Sequence, residues 1–273
     1  MIEILNIILQ WKKQILIFTA IATVVSIIIT MPFIMPPYYK SNKIFYVANP
    51  MSTDRAALFN EKVADGVSMF GGKEDVNRFL SILTSDIIST KIIEKYNLVS
   101  HYHLSDNNKA LAQFYTKREF YNNFKAIRND LGAIEVSVLD TDANLAAVMA
   151  KDIVHLSDSI YRQMLSENKA VVLSLLDKQI ADKKTETQKN MSANAVDELQ
   201  KLMSIRDQYA VSSSVAFKTI YTVGEAAPAV KKTKPVRWLI VLATALGALF
   251  FASFITLLID LFKHADQNNV QHS

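Results

Sequence analysis

The chain has 273 residues, half of them apolar, no cysteine and a formal charge of +4. Without cysteine it can hold neither a disulfide nor a thiolate zinc site, so any folded part must be held by packing. The slight basicity comes without a basic run interleaved with aromatics, which excludes a nucleic-acid groove.

From the N-terminus, no Asp, Glu, Lys or Arg occurs between Lys13 and Lys40. A helix of about 20 apolar residues crosses the hydrocarbon core of a bilayer. Trp11 on one side and Tyr38 and Tyr39 on the other stand where interfacial aromatics belong. A cleaved signal peptide has an apolar stretch of only about 7–15 residues followed by a small-x-small site. This run is longer and ends in MPFIMPPYY, so residues 14–37 are read as a retained transmembrane helix preceded by a short segment, 1–13.

Residues 38–230 contain few glycines and prolines and read as one globular domain. KSNKIFYVANP alternates as a strand, with Ile44, Tyr46 and Ala48 on one face and Phe45 and Val47 on the other, stopped at Pro50. Residues 51–74 read as a loop with room for a short helix. Asp75 is placed to cap a helix carrying Phe79, Leu80, Leu83, Ile87 and Ile88, with Ile92 and Ile93 on a further turn. A third helix is expected around Asn108–Asn123. GAIEVSVLD is the clearest strand, with Ile134, Val136 and Val138 alternating against Glu135 and Ser137.

A stretch of more than forty residues without Gly or Pro follows, predicting a helix over about 142–189 whose start is capped by Asp140 or Asp142. Ile153, Leu156, Ile160, Met164, Val171 and Leu175 line one face of it. At 1.5 Å per residue this helix spans roughly 60 Å, too long for a small sheet to cover, so it must project and pack on a returning helix and on neighbouring subunits. KKTETQKNMSAN marks the turn and AVDELQKLMSIRDQY the return. SVAFKTIYTV then alternates, with Val215, Phe217, Thr219 and Tyr221 on one face. If the first and last strands pair, the two ends of the domain meet.

The linker 231–237 is basic and bounded by proline: Pro228, Lys231, Lys232, Lys234, Pro235 and Arg237. No charged residue lies between Arg237 and Asp260, and residues 238–260 are read as a second transmembrane helix flanked by Trp238, with 261–273 beyond it. Small residues recur every fourth position in both spans: Ala22, Ser26 and Thr30, then Thr244, Ala248, Ala252 and Thr256. Such spacing lets helices approach closely in lipid and predicts a packing seam.

No catalytic constellation is found. GVSMFGGKE approaches a phosphate-binding loop, but an extra glycine breaks the spacing and Glu74 replaces the hydroxyl that would hold magnesium. His101 and His103 lack a third ligand at useful spacing, and His155 has no histidine one turn on. Asp140 and Asp142 suit helix capping better than acid–base work. No catalytic, cofactor-binding or metal-binding residue is therefore expected, and no cofactor.

Four stretches, in order, resemble the polysaccharide co-polymerases of the Wzz, or chain-length determinant, family. They are the first anchor running through proline into a Tyr-Lys-Ser strand; FLSILTSDIISTKIIEKYNL; IEVSVLDTDANLAAVMAKDIV; and AAPAVKKTKPVRWLIVLATALGALF. The resemblance covers nearly the whole chain. It departs from larger exopolysaccharide members, which append a tyrosine-rich tail or a kinase domain where only a short stretch follows Leu261. It departs again at Asp142-Ala143, where a proline often follows, and in the smaller size of the domain.

The resemblance implies an α+β membrane protein, with two transmembrane helices flanking a small sheet-containing extracytoplasmic base and a long projecting helical hairpin. It implies a non-enzymatic regulator of O-antigen, capsule or exopolysaccharide chain length in the bacterial inner membrane. It also implies a homo-oligomeric ring in contact with membrane lipid, a glycan polymerase and lipid-linked polysaccharide. A related export or kinase-modulator subunit and, more distantly, a two-anchor sensor are the competing readings. Counting Lys231, Lys232, Lys234 and Arg237 before the second span would put the domain inside, but that rule governs short loops and not domains. The resemblance places both termini in the cytoplasm and residues 38–230 in the periplasm.

Overall fold

The structure, a computed structural model, describes residues 7, 9–50, 68–189, 192–212 and 218–270. Contacts divide the chain into two units, Met1–Tyr39 with Val230–Ser273, and Lys40–Ala229. The first holds α1 (Lys12–Ile29) and α8 (Arg237–Val270). In chain order between them come β1 (Tyr39–Val47), α2 (Lys73–Leu83), α3 (Asp86–Lys95), α4 (Leu98–His101), α5 (Lys109–Asn123), β2 (Phe124–Arg128), β3 (Ile134–Asp140), α6 (Ala143–Lys189), α7 (Ala193–Ser212) and β4 (Ile220–Gly224). The fold is α+β: two apolar terminal helices, a small sheet and a long helical hairpin.

The sheet has the order β2-β3-β1-β4. Alternation in β1 turns Ser41, Lys43, Phe45 and Val47 inward. β4 runs antiparallel to it, with Val47 opposite Ile220, Tyr46 opposite Tyr221 and Ile44 opposite Gly224, across a register shift at Ile44/Phe45. The two ends of the domain therefore lie side by side. Beyond the ladder, Ser41 Oγ donates to the Ala227 carbonyl at 2.9 Å and Lys43 Nζ pairs with Glu225 at 3.0 Å.

β4 is shorter than expected. Thr219 is buried just before it, while Val215 and Phe217 lie outside the described residues, as does most of the expected 51–74 loop. β2 is a strand that the sequence reading did not anticipate. It pairs antiparallel with β3 through a turn in which Asn129 Oδ1 accepts from the Leu131 and Ala133 N–H groups, and Gly132 supplies a φ of +86°.

One face of the sheet, α2 to α5 and the N-terminal part of α6 enclose a single core. Phe45, Phe79 and Tyr161 stack edge to face through its middle, with centroids 5.3 and 5.4 Å apart. The expected capping role of Asp75 is corrected. The helix begins three residues earlier than an Asp75 cap implies, at Lys73, and Asp75 sits in its first turn with Oδ2 accepting from the Gly72 N–H at 2.9 Å. A carboxylate is stabilised there because the first N–H groups have no helical acceptor. Gly71 must be glycine, since a Cβ would meet that of Asp75 at 2.9 Å. α2 and α3, expected as one helix with a further turn, are two helices broken at Thr84 and Ser85.

At the start of α6 the choice between two aspartates is resolved. Asp142 Oδ1 accepts from the Asn144 N–H at 2.8 Å and is the cap, while Asp140 Oδ1 accepts from the Asp142 N–H and sets the turn. The 47 residues of α6 extend about 70 Å. The helix continues through most of the polar stretch, to Lys189.

α7 returns along α6 and packs on it. Leu173, Leu176 and Ile180 on α6 and Leu199 and Leu202 on α7 are wholly or partly buried, and Asp177–Arg206 and Lys183–Glu198 pairs at 3.0 and 2.8 Å tie the two helices. Glu198 is held below the usual carboxylate range and Lys183 above its own, chiefly by the hydrogen bond between them. The expected stripe splits. Ile153 is in the core, but Met164, Val171 and Leu175 are 52%, 60% and 58% exposed. They lie one position off the row that meets α7, and the hairpin leaves them bare.

Candidate functional site

α1 and the part of α8 from Arg237 to Asp260 are long and apolar enough to cross a membrane, about 27 and 36 Å at helical rise. Most of their side chains are exposed, as they must be if lipid surrounds them. The two helices pack on each other, and the recurring small residues lie on the covered sides. Ser26, Thr30, Ala252 and Thr256 are buried, and Ala22, Thr244 and Ala248 half-buried. Thr30 and Thr256 donate to the carbonyls of Ser26 and Ser253 within their own helices at 2.9 and 2.8 Å, so neither hydroxyl is stranded in an apolar setting.

A double change, Ala248→Leu with Ala252→Leu, is expected to force the helices apart. Because the chain has no cysteine, cysteines placed in α1 and α8 report this directly. Cross-linking should fall severalfold, and unchanged cross-linking would show that the small residues are not a seam.

The proline-bounded basic linker lies beside these helices. Tyr38 pairs with Lys234: its N–H donates to the Lys234 carbonyl at 3.0 Å, and its carbonyl accepts from the Thr233 N–H at 2.7 Å. The Lys234–Pro235 bond is cis. Pro228, Lys231 and Lys234 are exposed, Lys232, Pro235 and Arg237 half-buried. Pro228 lies four residues past β4, and Pro235 two residues ahead of α8. An open cleft of about 610 Å³ is lined by Ile27 of α1, by Met31 just past its end, and by Arg237, Trp238, Val241 and Leu242 of α8.

In the middle unit His101, one of the polar residues singled out in the sequence, has a structural partner. His101 Nε2 lies 2.9 and 3.1 Å from the two carboxylate oxygens of Asp140, which is 1% exposed. His103 is not part of that pair. Among the described residues no group of three or more His, Asp and Glu is placed to hold a metal ion. Gly71 and Gly72 of the near-phosphate loop lead into α2, and Gly66 lies outside the described residues. His155 lines a small cleft with Lys91, Lys95 and Asp152.

Two ties were not seen in the sequence because each joins distant elements. Asp152 accepts from Lys95 and, at 2.5 Å, from the Tyr96 hydroxyl, fastening α6 to α3. Burial pushes the Asp152 carboxyl up, but the bonds from Lys95 and Tyr96 outweigh it and hold the group below its usual range. Burial and the same carboxylate push Tyr96 well above the usual phenol range, so its hydroxyl stays a donor at all ordinary pH. Asp158 accepts from Thr219 and, at 2.6 Å, from Arg162, fastening α6 to the start of β4. A groove of about 640 Å³ between α2, α3 and α6 is lined by Ile87, Ile160 and Met164 with Arg78 and Asn168 at its polar side.

These features define a class: a protein with two apolar terminal helices and a middle domain that presents a long helical hairpin with an exposed apolar row. The chain is similar in fold to a full-length bacterial polysaccharide co-polymerase, with a TM-score of 0.56 at 10% identity over 97% of this chain and 98% of that one. It is also similar to a fragment of WzzB, a polysaccharide co-polymerase from Salmonella Typhimurium, with a TM-score of 0.39 at 10% identity over 72% of this chain and 100% of the fragment. No curated protein sequence matches significantly. The sequence profile of the Wzz family, described as chain length determinant protein, matches residues 1–96. Over that N-terminal third the chain is similar to the Wzz chain length determinant family.

Proposed function

We propose that this protein is a non-enzymatic inner-membrane regulator of the chain length of a surface polysaccharide, acting as an oligomeric scaffold beside a glycan polymerase. The observation that carries this is the correspondence of nearly the whole chain, anchors included, with a full-length polysaccharide co-polymerase. The row Met164, Val171 and Leu175 supports the oligomer, because an apolar row exposed on a long helix is stabilised when a second copy covers it. On this reading the protein supplies geometry. It holds a lipid-linked glycan and its polymerase together for a limited time or distance, and the polymerase forms the bonds.

Residues 38–230 face the periplasm, and 1–13 and 261–273 the cytoplasm. A reporter fused after Ser273 should read cytoplasmic; an extracytoplasmic signal would reverse the orientation. Deleting the gene and separating the surface glycan on a gel tests the role itself. The modal length is expected to disappear in favour of a broad distribution of short chains, and an unaltered ladder would count decisively against it.

A further inference from the structure

We propose that the cleft between α1 and α8 beside Arg237 binds an anionic glycerophospholipid, with the phosphate on the guanidinium and one acyl chain along the helices. Its walls are apolar, Ile27 on α1 and Met31 just past its end with Val241 and Leu242 on α8, which suits a hydrocarbon chain. The cleft follows α8 inward from Arg237 for about 12 Å at helical rise, so a lipid headed at Arg237 carries its chain towards the middle of the span. Arg237 Nε is buried and has no hydrogen-bond partner among the described residues. A buried donor without an acceptor is costly, and a phosphate offers two oxygens in the geometry that a guanidinium matches.

The surrounding charge fits the same ligand. Lys231, Lys232 and Lys234 precede Arg237, and no acidic residue occurs between Glu225 and Asp260 or between Lys13 and Lys40. An anionic headgroup therefore meets cations with no nearby carboxylate in those segments to compete. Trp238, on the same cleft and exposed, stands where the headgroup region would lie. The proposal needs both helices to lie in a bilayer and is independent of any role in chain length.

Trp11 and Trp238 are the two tryptophans, so the full chain carrying Trp11→Phe reports on the cleft alone. It is placed in phosphatidylcholine nanodiscs doped with phosphatidylglycerol brominated on one acyl chain, and quenching of Trp238 is titrated. Phosphatidylcholine brominated at the same carbon is the reference. Half-maximal quenching is expected at an about tenfold lower mole fraction of phosphatidylglycerol, with Arg237→Gln removing the preference and Arg237→Lys weakening it. Equal quenching by the two lipids, or an undiminished preference in Arg237→Gln, overturns the site. If Arg237→Gln loses its helical circular dichroism, Arg237→Lys decides, and an unchanged preference there also overturns it. A polyisoprenyl phosphate that displaces phosphatidylglycerol at a lower mole fraction overturns the choice of glycerophospholipid. Absence of the chain from carbonate-washed membranes would overturn the membrane premise itself, while the glycan ladder tests the chain-length role separately.

Discussion

Replacing Phe79 by alanine is expected to lower the thermal midpoint of the middle domain by roughly 6–20 °C. Phe79 is fully buried at the centre of the core, between Phe45 on the sheet and Tyr161 on α6, with edge-to-face contacts to both. Truncation removes those contacts and leaves a cavity walled by three separate elements that cannot collapse into it together. Such Phe→Ala changes cost about 3–5 kcal/mol, and a domain of this size loses about 2–4 °C for each kcal/mol. Phe79→Leu keeps most of the volume and should lose less than half as much. Near-ultraviolet circular dichroism of the detergent-solubilised protein reads the transition. A drop of less than about 2 °C for the alanine variant would mean that the ring is not a central contact.

Val171→Glu with Leu175→Glu should have the opposite profile, leaving the domain's stability within about 0.5 kcal/mol per site while dispersing the proposed oligomer. Both residues lie on the outer side of α6, more than half exposed, and touch neither the core nor the α7 seam. In a single copy, glutamate at these positions remains solvated. In an oligomer closed over this row, paired charges would be buried without partners, at several kcal/mol for each ion. Light scattering in detergent is expected to show a smaller species, together with a broadened glycan ladder in cells. An unchanged particle size would remove this face from the interface.

How far the fold was legible depended on how local each signal was. The strands at Tyr39–Val47 and Ile134–Asp140 announce themselves because one buried face imposes a period of two within a single segment. Phe124–Arg128 is only five residues long, follows α5 without an intervening Gly or Pro, and buries Phe124 alone, so nothing in it alternates. In α6 two apolar rows run side by side, one position apart. Periodicity shows that both exist but not which of them α7 will choose, and that choice depended on a partner some thirty residues on. Asp75 was assigned to the right helix end but the wrong capping position, since the extended backbone at Gly72 marks where the first turn begins. The repeat of small residues in both apolar helices lies within single segments and is visible in the sequence. The cleft at Arg237 could not, because it is made by two segments separated by the entire middle domain.

The position of β1 in the sheet, between β3 and β4, sets a timetable for biogenesis. The first strand to emerge from the ribosome waits for the last one, because its outer edge stays unpaired until Ile220–Gly224 has been made. By then nearly the whole domain, long hairpin included, has been translated. An open strand edge pairs readily with any other extended chain, so the interval before closure is when two nascent copies can entangle. Escort during translation, rather than after it, is what this topology demands.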